Sequence, residues 1–194
     1  GVTNRTELTC VGTASDLDGE TPTVTYAWTI DGSAAGTGDT LQLTIATANA
    51  GDKVVCNATA TDGYSGTATN NDSVTLDNTD PSVSLVEITP DSGITNRSTL
   101  TCTATVTDDD GETPTLAYVW ANATDGSSYT STTNTLVLTT ATANPDDKIT
   151  CTVTATDAAG GTDSGMDAVT LDNTDPTITA NISPSTGVNN RTKL

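Results

Sequence analysis

Acidic side chains cluster in this sequence in a pattern that recurs along the chain. The motif Asp-x-Asp-Gly-Glu occupies positions 16–20 and again 108–112, and a further pair of aspartates, Asp62 and Asp157, lies at equivalent positions later in the two copies. Carboxylate oxygens are the ligands that Ca²⁺ prefers in proteins. Aspartate beside glycine is also ordinary turn chemistry. The sequence alone therefore leaves two interpretations of these clusters, a divalent-cation site and solvated turns.

The other potentially reactive side chains argue against catalysis. The chain has four cysteines and no histidine, which excludes Ser-His-Asp triads and proton transfer by histidine. The carboxylates recur in equivalent loops, whereas an active site is usually singular. A glycosidase-like carboxylate pair would have to occur twice, without an insertion that could form a cleft. We therefore predict that the chain is not an enzyme.

The charge of the chain excludes several partners. It carries 25 acidic and 6 basic residues, a formal net charge of −19. We expect no binding to nucleic acid, which requires clustered Lys and Arg, and none to an anionic membrane surface. No run of about 20 apolar residues occurs, so we expect no direct membrane insertion. Such an acidic surface is equally compatible with cation binding and with a salty habitat.

Internal repetition places the acidic residues in equivalent elements of successive units. The segment Leu-Asp-Asn-Thr-Asp-Pro at 76–81 returns letter for letter at 171–176, and a Gly-x-x-Asn-Arg motif occurs three times. We predict three units: repeat 1 at 1–80, which lacks its first strand; repeat 2 at 81–175; and the start of a third repeat at 176–194.

Within each unit apolar residues alternate with a period of two, which predicts half-buried strands. In repeat 1 the segment 24–30 places Val24, Tyr26, Trp28 and Ile30 on one face. Further strands are expected at 8–14, 41–45, 54–60 and 68–76. Asp-Gly and Gly-rich steps supply the turns between them, and no helical period is present. The predicted fold class is all-β, built of antiparallel β-sandwiches.

Each repeat places a tryptophan between two cysteines: Cys10, Trp28, Cys56 and then Cys102, Trp120, Cys151. This pattern resembles the immunoglobulin superfamily, in which a disulfide between strands B and F packs on a buried tryptophan of strand C. The resemblance implies tandem immunoglobulin-like sandwiches with Greek-key topology. The tyrosine-corner position, two residues before the second cysteine, holds Val54 and Ile149. The likeness is therefore to the architecture and not to antibody domains.

The Tyr-x-Trp strand followed by an Asp-Gly turn is more similar to PKD-type and other immunoglobulin-like repeats of bacterial and archaeal surface proteins. Repeat symmetry and the intervening tryptophan imply disulfides within each repeat, Cys10 to Cys56 and Cys102 to Cys151. Four cysteines allow three pairings, and zinc is the alternative to disulfides, although no Cys-x-x-Cys spacing occurs. Disulfides persist in oxidising compartments, so we predict an extracellular or cell-surface location.

The same resemblance brings the acidic loops of one repeat to the linker that precedes it. In an immunoglobulin-like sandwich the B–C and F–G loops lie at the end where the chain arrives from the preceding domain. The linker is also similar to the Asp- and Asn-rich linkers of cadherins, where interdomain Ca²⁺ stiffens the array. The candidate Ca²⁺ ligands at this junction are Asp77, Asp80, Asp108, Asp110, Glu112 and Asp157.

Asn-x-Ser/Thr sequons predict sites of N-linked glycosylation, a modification that depends on the host. Because Ser and Thr are abundant here, several sequons would occur by chance. The predicted sites are Asn4, Asn57, Asn71, Asn96, Asn122, Asn181 and Asn190.

Tandem repeats are typical of proteins that build length. We expect a structural segment of an extracellular filament, sheath or stalk on a prokaryotic cell surface, whose partners are neighbouring repeats or copies of itself. The alternative is an adhesin or carbohydrate-binding module that acts through its loop tips, where only Tyr64 and Tyr129 are candidate aromatic contacts.

The ends of the chain leave two further interpretations open. Repeat 1 has no counterpart of 82–91, whereas 177–194 carries that first-strand segment with no body after it. The sequence favours a window cut from a longer array. The alternative is donor-strand exchange, in which the last segment of one chain completes the first sandwich of another.

Overall fold

A computed structural model describes residues 1–183 and 191, and these residues form strands, turns and loops only. The strands of repeat 1 are β1 (Glu7–Thr9), β2 (Thr23–Ile30), β3 (Ser33–Thr37), β4 (Thr40–Gln42), β5 (Lys53–Thr61) and β6 (Thr67–Thr75). The strands of repeat 2 are β7 (Ser82–Thr89), β8 (Thr99–Thr107), β9 (Thr115–Asn122), β10 (Ser127–Ser128), β11 (Thr135–Val137), β12 (Lys148–Thr156) and β13 (Thr162–Thr170). No helix that is long and apolar enough to cross a bilayer occurs among the described residues.

Each repeat is a sandwich of two antiparallel sheets. Repeat 2 has a three-stranded sheet of order β11-β8-β7 and a four-stranded sheet of order β10-β9-β12-β13. Repeat 1 has the matching four-stranded sheet, β3-β2-β5-β6, but its other sheet contains only β1 and β4. The chain therefore crosses between sheets after the second strand of each complete unit and returns later, as in immunoglobulin-like Greek-key sandwiches. The predicted all-β, immunoglobulin-like fold class is confirmed.

Repeat 1 differs from the sequence prediction along its first strand. Alternation predicts a strand over 8–14, yet β1 ends at Thr9. In repeat 2 the equivalent strand β8 runs to Thr107 because β7 pairs with it along this length. No described strand occupies the place of β7 beside residues 10–15 of repeat 1. A ladder cannot continue without a partner, so this backbone leaves the sheet.

Two disulfides join the sheets as the resemblance implies. Cys10 bonds to Cys56 across a Cα–Cα distance of 6.4 Å, and Cys102 bonds to Cys151 across 6.5 Å. No free cysteine is left, which excludes the zinc alternative. Each disulfide packs among the apolar residues around a buried tryptophan, and the indole nitrogen of Trp120 donates a hydrogen bond of 3.0 Å to the carbonyl of Thr133.

The two cores are unequal in size. The buried core of repeat 2 comprises Val86, Ile88, Ile94, Leu100, Cys102, Trp120, Leu136, Leu138, Ala143, Ile149, Cys151, Val153, Val169 and Leu171. The buried core of repeat 1 comprises Trp28, Leu43, Ala48, Val54, Cys56 and Leu76. Cys10 and Leu8 are only partly covered, whereas their equivalents Cys102 and Leu100 are fully buried. The smaller core follows from the incomplete sheet of repeat 1.

Most of the predicted third repeat carries no strand in this structure. Residues 176–183 form no regular element and are exposed. Residues 184–190 and 192–194 lie outside the described residues. The segment 176–194 therefore remains a prediction as the start of a third repeat.

Removal of the second disulfide is expected to destabilise repeat 2 strongly. The bond closes a loop of 49 residues, so replacing Cys102 and Cys151 by Ala is expected to lower the free energy of unfolding by about 4 kcal/mol in the chain-entropy description. Urea unfolding followed by tryptophan fluorescence in a Trp28→Phe background measures repeat 2 alone, because Trp120 is then the single tryptophan. Unchanged unfolding of repeat 2 would contradict the structural role of the bond.

Candidate functional site

The junction between the two sandwiches begins with residues that belong to repeat 1. Leu76 is buried, and its backbone nitrogen donates to the carbonyl of Asp52. The carboxylate of Asp77 accepts a hydrogen bond of 3.0 Å from the backbone nitrogen of Val2 and lies 4.0 Å from the amino group of Gly1. The side chain of Asp77 is 61% exposed. Asp77 thus binds the first residues of its own repeat. Its predicted role as a Ca²⁺ ligand at the junction remains a prediction.

The next linker residues bind the loops of repeat 2. The amide nitrogen of Asn78 donates a hydrogen bond of 2.9 Å to Oδ2 of Asp157, in the loop between β12 and β13. The backbone nitrogen of Thr79 donates one of 2.6 Å to Oδ2 of Asp110, in the loop between β8 and β9. The hydroxyl of Thr79 lies 3.4 Å from the other oxygen of Asp110. Two carboxylates that the sequence singled out therefore hold the linker.

Repeat 1 also contacts the β8–β9 loop directly, through its own Gly-x-x-Asn-Arg motif. Asn4 donates a hydrogen bond of 2.9 Å from its side-chain amide to the carbonyl of Asp110, and Arg5 donates from Nε to the carbonyl of Asp109. Gly111 has a φ of +84°, and a Cβ there would lie 3.0 Å from the side chain of Ile45. Glycine is therefore required at this contact for both its backbone conformation and its size.

Several oxygen atoms are buried at this junction without a hydrogen-bond partner. They are Oδ1 of Asn4, Oδ1 of Asn78 and Oδ2 of Asp108. Asn4 itself is fully buried. A buried acceptor without a partner is costly, and most such groups in folded proteins are satisfied by protein, water or an ion. Three such acceptors therefore belong to residues that form the junction.

The remaining predicted carboxylates lie around the same loops. Asp80 and Asp157 both lie against Gly161, where a Cβ would collide with an oxygen of each. Glu112 accepts a hydrogen bond of 3.2 Å from the backbone nitrogen of Ala158. Asp108 accepts one of 2.8 Å from the backbone nitrogen of Asp110 through Oδ1. Five of the six predicted ligands therefore lie on the linker and the two loops that it contacts.

The local electrostatics differ between two of these aspartates. Desolvation raises the pKa of Asp108, and the nearby charges of Asp110, Glu112 and Asp157 raise it further, against a backbone hydrogen bond that lowers it. The pKa of Asp157 is lowered, chiefly by the hydrogen bond from the side chain of Asn78 and also by backbone N–H groups from Ala159 to Gly161. The guanidinium of Arg5 contacts this loop at the carbonyl of Asp109, and no described salt bridge joins a cationic side chain to these carboxylates.

A tighter carboxylate group lies at the other end of repeat 1. Oxygen atoms of Asp16, Glu20 and Asp62 lie within 4.8 Å of one another, and no other group of three potential metal ligands among the described residues meets this distance. These residues are equivalent in sequence to Asp108, Glu112 and Asp157. In repeat 2 the corresponding loops accept hydrogen bonds from Asn78 and Thr79 of the linker. No described residue makes the equivalent contacts with the loops of repeat 1.

The repeat 1 carboxylates are not among the Ca²⁺ ligands predicted from the sequence, although their equivalence to the repeat 2 loops is visible in it. Asn4 and Asn78 were not recognised as junction residues either. Their signal was repetition, because asparagine recurs at 96 and at 173 in the equivalent motifs. Asn4 and Asn78 bind residues of the next repeat, so the role of these two side chains is not apparent within a single repeat.

Two glycosylation predictions are wrong for the folded chain. Asn4 is fully buried and its amide nitrogen binds Asp110. Asn122 is also buried, and its amide nitrogen donates a hydrogen bond of 2.8 Å to Asp147. A glycan is attached through this nitrogen, so neither side chain can carry one in this structure. Asn57 and Asn96 are half-buried, Asn71 and Asn181 are exposed, and Asn190 lies outside the described residues.

The candidate aromatic contacts of an adhesin are placed unequally. Tyr64 is 86% exposed in the loop between β5 and β6. Tyr129 packs against the core of repeat 2 and donates a hydrogen bond of 2.9 Å to the carbonyl of Thr142. Only one of the two tyrosines is therefore available at a loop tip.

Substitution of Asp110 is expected to loosen the junction. In Asp110→Ala the backbone nitrogen of Thr79 loses its acceptor, so we expect the stability of repeat 2 in the full chain to fall by about 1–3 kcal/mol. Denaturant unfolding in the Trp28→Phe background measures this change.

Asp18→Ala is the matched control. Asp18 is the equivalent residue of repeat 1, is exposed and receives no described linker, so the same substitution should change stability by less than about 0.5 kcal/mol. Equal effects of the two substitutions would show that the junction contact adds nothing.

Comparison with known proteins identifies no family for this chain. No protein-family model matches the chain, so the resemblance to PKD and cadherin repeats has no support of that kind, and no curated protein is similar in sequence. Among solved structures, the chain is similar to the three N-terminal domains of the bacteriophage RB49 Highly Immunogenic Outer Capsid protein (Hoc). The two are 18% identical with a TM-score of 0.33, and the match covers 88% of this chain and 55% of that one. This similarity is too low to assign a function to the chain.

Proposed function

We propose that this chain is a structural segment of an extracellular filament, sheath or stalk on a prokaryotic cell surface, and that Ca²⁺ at its junction fixes the relation between repeats. The observation that carries this proposal is the junction itself. Linker residues Asn78 and Thr79 bind Asp157 and Asp110 of the next repeat, and Asn4 binds the same loop. Both partners in these contacts belong to motifs that recur along the chain. A contact built from repeated motifs can be made again at every boundary of an array.

The oxygens at the junction suit a hard cation. The carboxylates of Asp80, Asp108, Asp110, Glu112 and Asp157 lie on the linker and on the two loops that it contacts. The unpartnered oxygens of Asn4 and Asn78 are neutral amide ligands of the kind that Ca²⁺ also accepts. Burial is the main cause of the raised pKa of Asp108, and a bound cation would neutralise the repulsion from Asp110, Glu112 and Asp157 that adds to it. These side chains would then act as ligands that hold the linker and both loops in one arrangement.

The two disulfides support an extracellular location because such bonds persist in oxidising surroundings. The acidic surface supports solubility at high local concentration. The adhesin alternative loses one of its two candidate aromatic contacts, because Tyr129 is committed to the core of repeat 2. No observation favours that alternative over a structural role.

Calcium is expected to bind at the junction and to stabilise it. Titration of Ca²⁺ into the chelator-treated chain, followed by calorimetry, should show binding together with a higher Tm of repeat 2. A double variant Asp108→Asn/Asp157→Asn removes two charged ligands, so we expect it to weaken binding at least about tenfold.

Asp125→Asn is the control for charge alone. Asp125 lies in the turn between β9 and β10 and accepts a hydrogen bond from the backbone nitrogen of Ser127, away from the linker contacts. Equal weakening of Ca²⁺ binding in this variant would refute the metal site. A Tm of the native chain that does not change on addition of Ca²⁺ would also refute it.

The structural role itself is tested on native material by electron microscopy with and without chelator. Ordered fibres or tubes with a regular bead spacing are the expected result, with the order lost on chelation. Isolated flexible strings that end in a distinct head would instead favour a stalk that carries an adhesin.

A further inference from the structure

The outer face of the four-stranded sheet of repeat 2 carries no acidic side chain. On β12 the residues that point away from the core are Lys148 and the threonines at 150, 152, 154 and 156, since the residues that alternate with them are buried. The positions paired with them on β9 and β13 are threonine, serine, alanine, valine and methionine. Asp163 and Asp167 of β13 point the other way and bind the backbone of β7. In a chain with 25 acidic and 6 basic residues, the one charge on this face is that of Lys148.

The centre of this outer face is apolar. Val119 and Met166 both pair with Thr152, so the three side chains form one row across β9, β12 and β13. Val119 is 56% exposed and Met166 is 62% exposed. Apolar side chains that are exposed singly are ordinary, whereas neighbouring ones point to a contact with a partner.

Repeat 1 offers an internal comparison. The outward positions of its strands β2, β5 and β6 also include no acidic residue, and Lys53 stands in the place of Lys148. Its central row, however, consists of Ala27, Asn57 and Asn71. Both repeats therefore share a face without carboxylates, but only the face of repeat 2 has an apolar centre.

We infer that the outer face of repeat 2 is a lateral interface, on which a second copy of this chain packs the same face with its β12 running in the opposite direction. A partner with charges on its contact surface would lose their hydration without gaining counter-charges. An identical face brings one lysine and otherwise uncharged side chains, so no carboxylate is buried. On other surfaces the net charge of −19 makes two copies repel each other.

The single lysine determines the direction of packing. With the two β12 strands parallel, Lys148 of one copy would lie over Lys148 of the other. With the strands antiparallel and the central rows superposed, Lys148 lies over Thr156 of the second copy, at the end of β12. The loops at that end contain Glu112 and Asp157. Opposite charges then approach at both ends of the interface, and no described salt bridge already engages Lys148.

The size of the face makes the contact between two such repeats weak. Three strands of eight or nine residues, at about 3.3 Å per residue and about 4.8 Å between strands, cover roughly 400 Å². Two faces would bury about 800 Å², below the roughly 1,200 Å² of stable complexes. We therefore expect a dissociation constant on the order of 0.1–1 mM. Copies of the face along an array would act together and strengthen the association.

This inference rests on the proposed structural function and deepens it by naming the surface through which chains associate side by side. The strands that form the face lie within one sandwich and do not include the linker. Association is measured in the presence of chelator, so Ca²⁺ at the junction plays no part in the result.

Sedimentation equilibrium of the native chain tests the association. At up to about 1 mM protein and about 0.15 M salt, where charges are screened beyond about 8 Å, we expect a monomer–dimer equilibrium. Met166 is the only methionine of the sequence, so a methyl-labelled methionine places an NMR probe at the centre of the face. Its chemical shift should change with the fraction of dimer. Chains that stay monomeric over this range would overturn the inference.

Charge placed in the central row tests which surface is used. Val119→Asp/Met166→Asp should abolish dimers over the same range, because two carboxylates would be buried without counter-charges. The matched control Leu85→Asp/Val137→Asp adds the same two charges to the other sheet, at side chains that are 49% and 64% exposed, and should leave the dimer fraction unchanged. Circular dichroism checks that both variants are folded. Equal loss of dimer in the two variants would overturn the assignment to this face.

The direction of packing is tested by Lys148→Glu, with Lys53→Glu as the control of equal net charge. In the antiparallel arrangement Lys148→Glu removes an attraction to the acidic loops of the second copy, so it should weaken dimerisation several-fold more than Lys53→Glu does. Tighter dimers of Lys148→Glu would show relief of a lysine–lysine contact and overturn the antiparallel arrangement. Equal effects of the two variants would place Lys148 outside the interface and count against it as well.

The outcomes for this interface and for the proposed function are separable. Monomeric chains whose Tm still rises with Ca²⁺ would overturn the lateral interface and leave the proposed junction intact. Dimers formed by a chain that does not respond to Ca²⁺ would support the interface and remove the metal from the proposed function.

Discussion

Each sandwich is tied across its two sheets by a disulfide between the strands that also carry its acidic loops. In repeat 2 the bond joins β8 to β12. The loop after β8 contains Asp110 and the loop after β12 contains Asp157, the two carboxylates that hold the linker. A chain without phenylalanine has few large side chains to fix the distance between its sheets. The covalent bond and the tryptophan beside it therefore determine where these loops stand, and with them the geometry of the junction.

The two repeats share one sequence pattern, but no described strand occupies the place of β7 in repeat 1, and the structures of the two repeats differ there. Cys102 is fully buried under β7, whereas Cys10 is only partly covered. Strand β8 extends over nine residues, whereas β1 extends over three. The loops respond in the same way: Asp157 binds Asn78, while its equivalent Asp62 shares a tight carboxylate group with Asp16 and Glu20. Strand β7 thus completes the side of repeat 2 and the linker completes its end, whereas no described residue does either for repeat 1.

This dependence also explains which features could be predicted from the sequence. Alternation and the Cys-Trp-Cys spacing depend only on contacts within one sandwich. The all-β fold, the strands around Trp28 and Trp120 and both disulfides could therefore be predicted. The end of β1 was not, because the alternation of residues 8–14 persists although their partner strand is missing. The buried state of Asn4 was also hidden, since a sequon reads the same whether its amide faces solvent or the carbonyl of Asp110. Asp77 was assigned to the junction from its place in the linker, yet it binds Val2, a contact 75 residues away in sequence.

The placement of the disulfides has a mechanical consequence for a chain pulled from its ends. Tension passes through the covalent bridge, so the residues between Cys10 and Cys56, and those between Cys102 and Cys151, cannot be drawn out while the bonds are intact. Only the segment from Cys56 to Cys102, with the two ends of the chain, is free to extend. At about 3.5 Å per residue this segment would span on the order of 160 Å when fully extended. Because it contains β6, the linker and β7, the contacts of the junction lie in a part of the chain that can be drawn out, while each unit keeps a closed covalent ring from which it could reform.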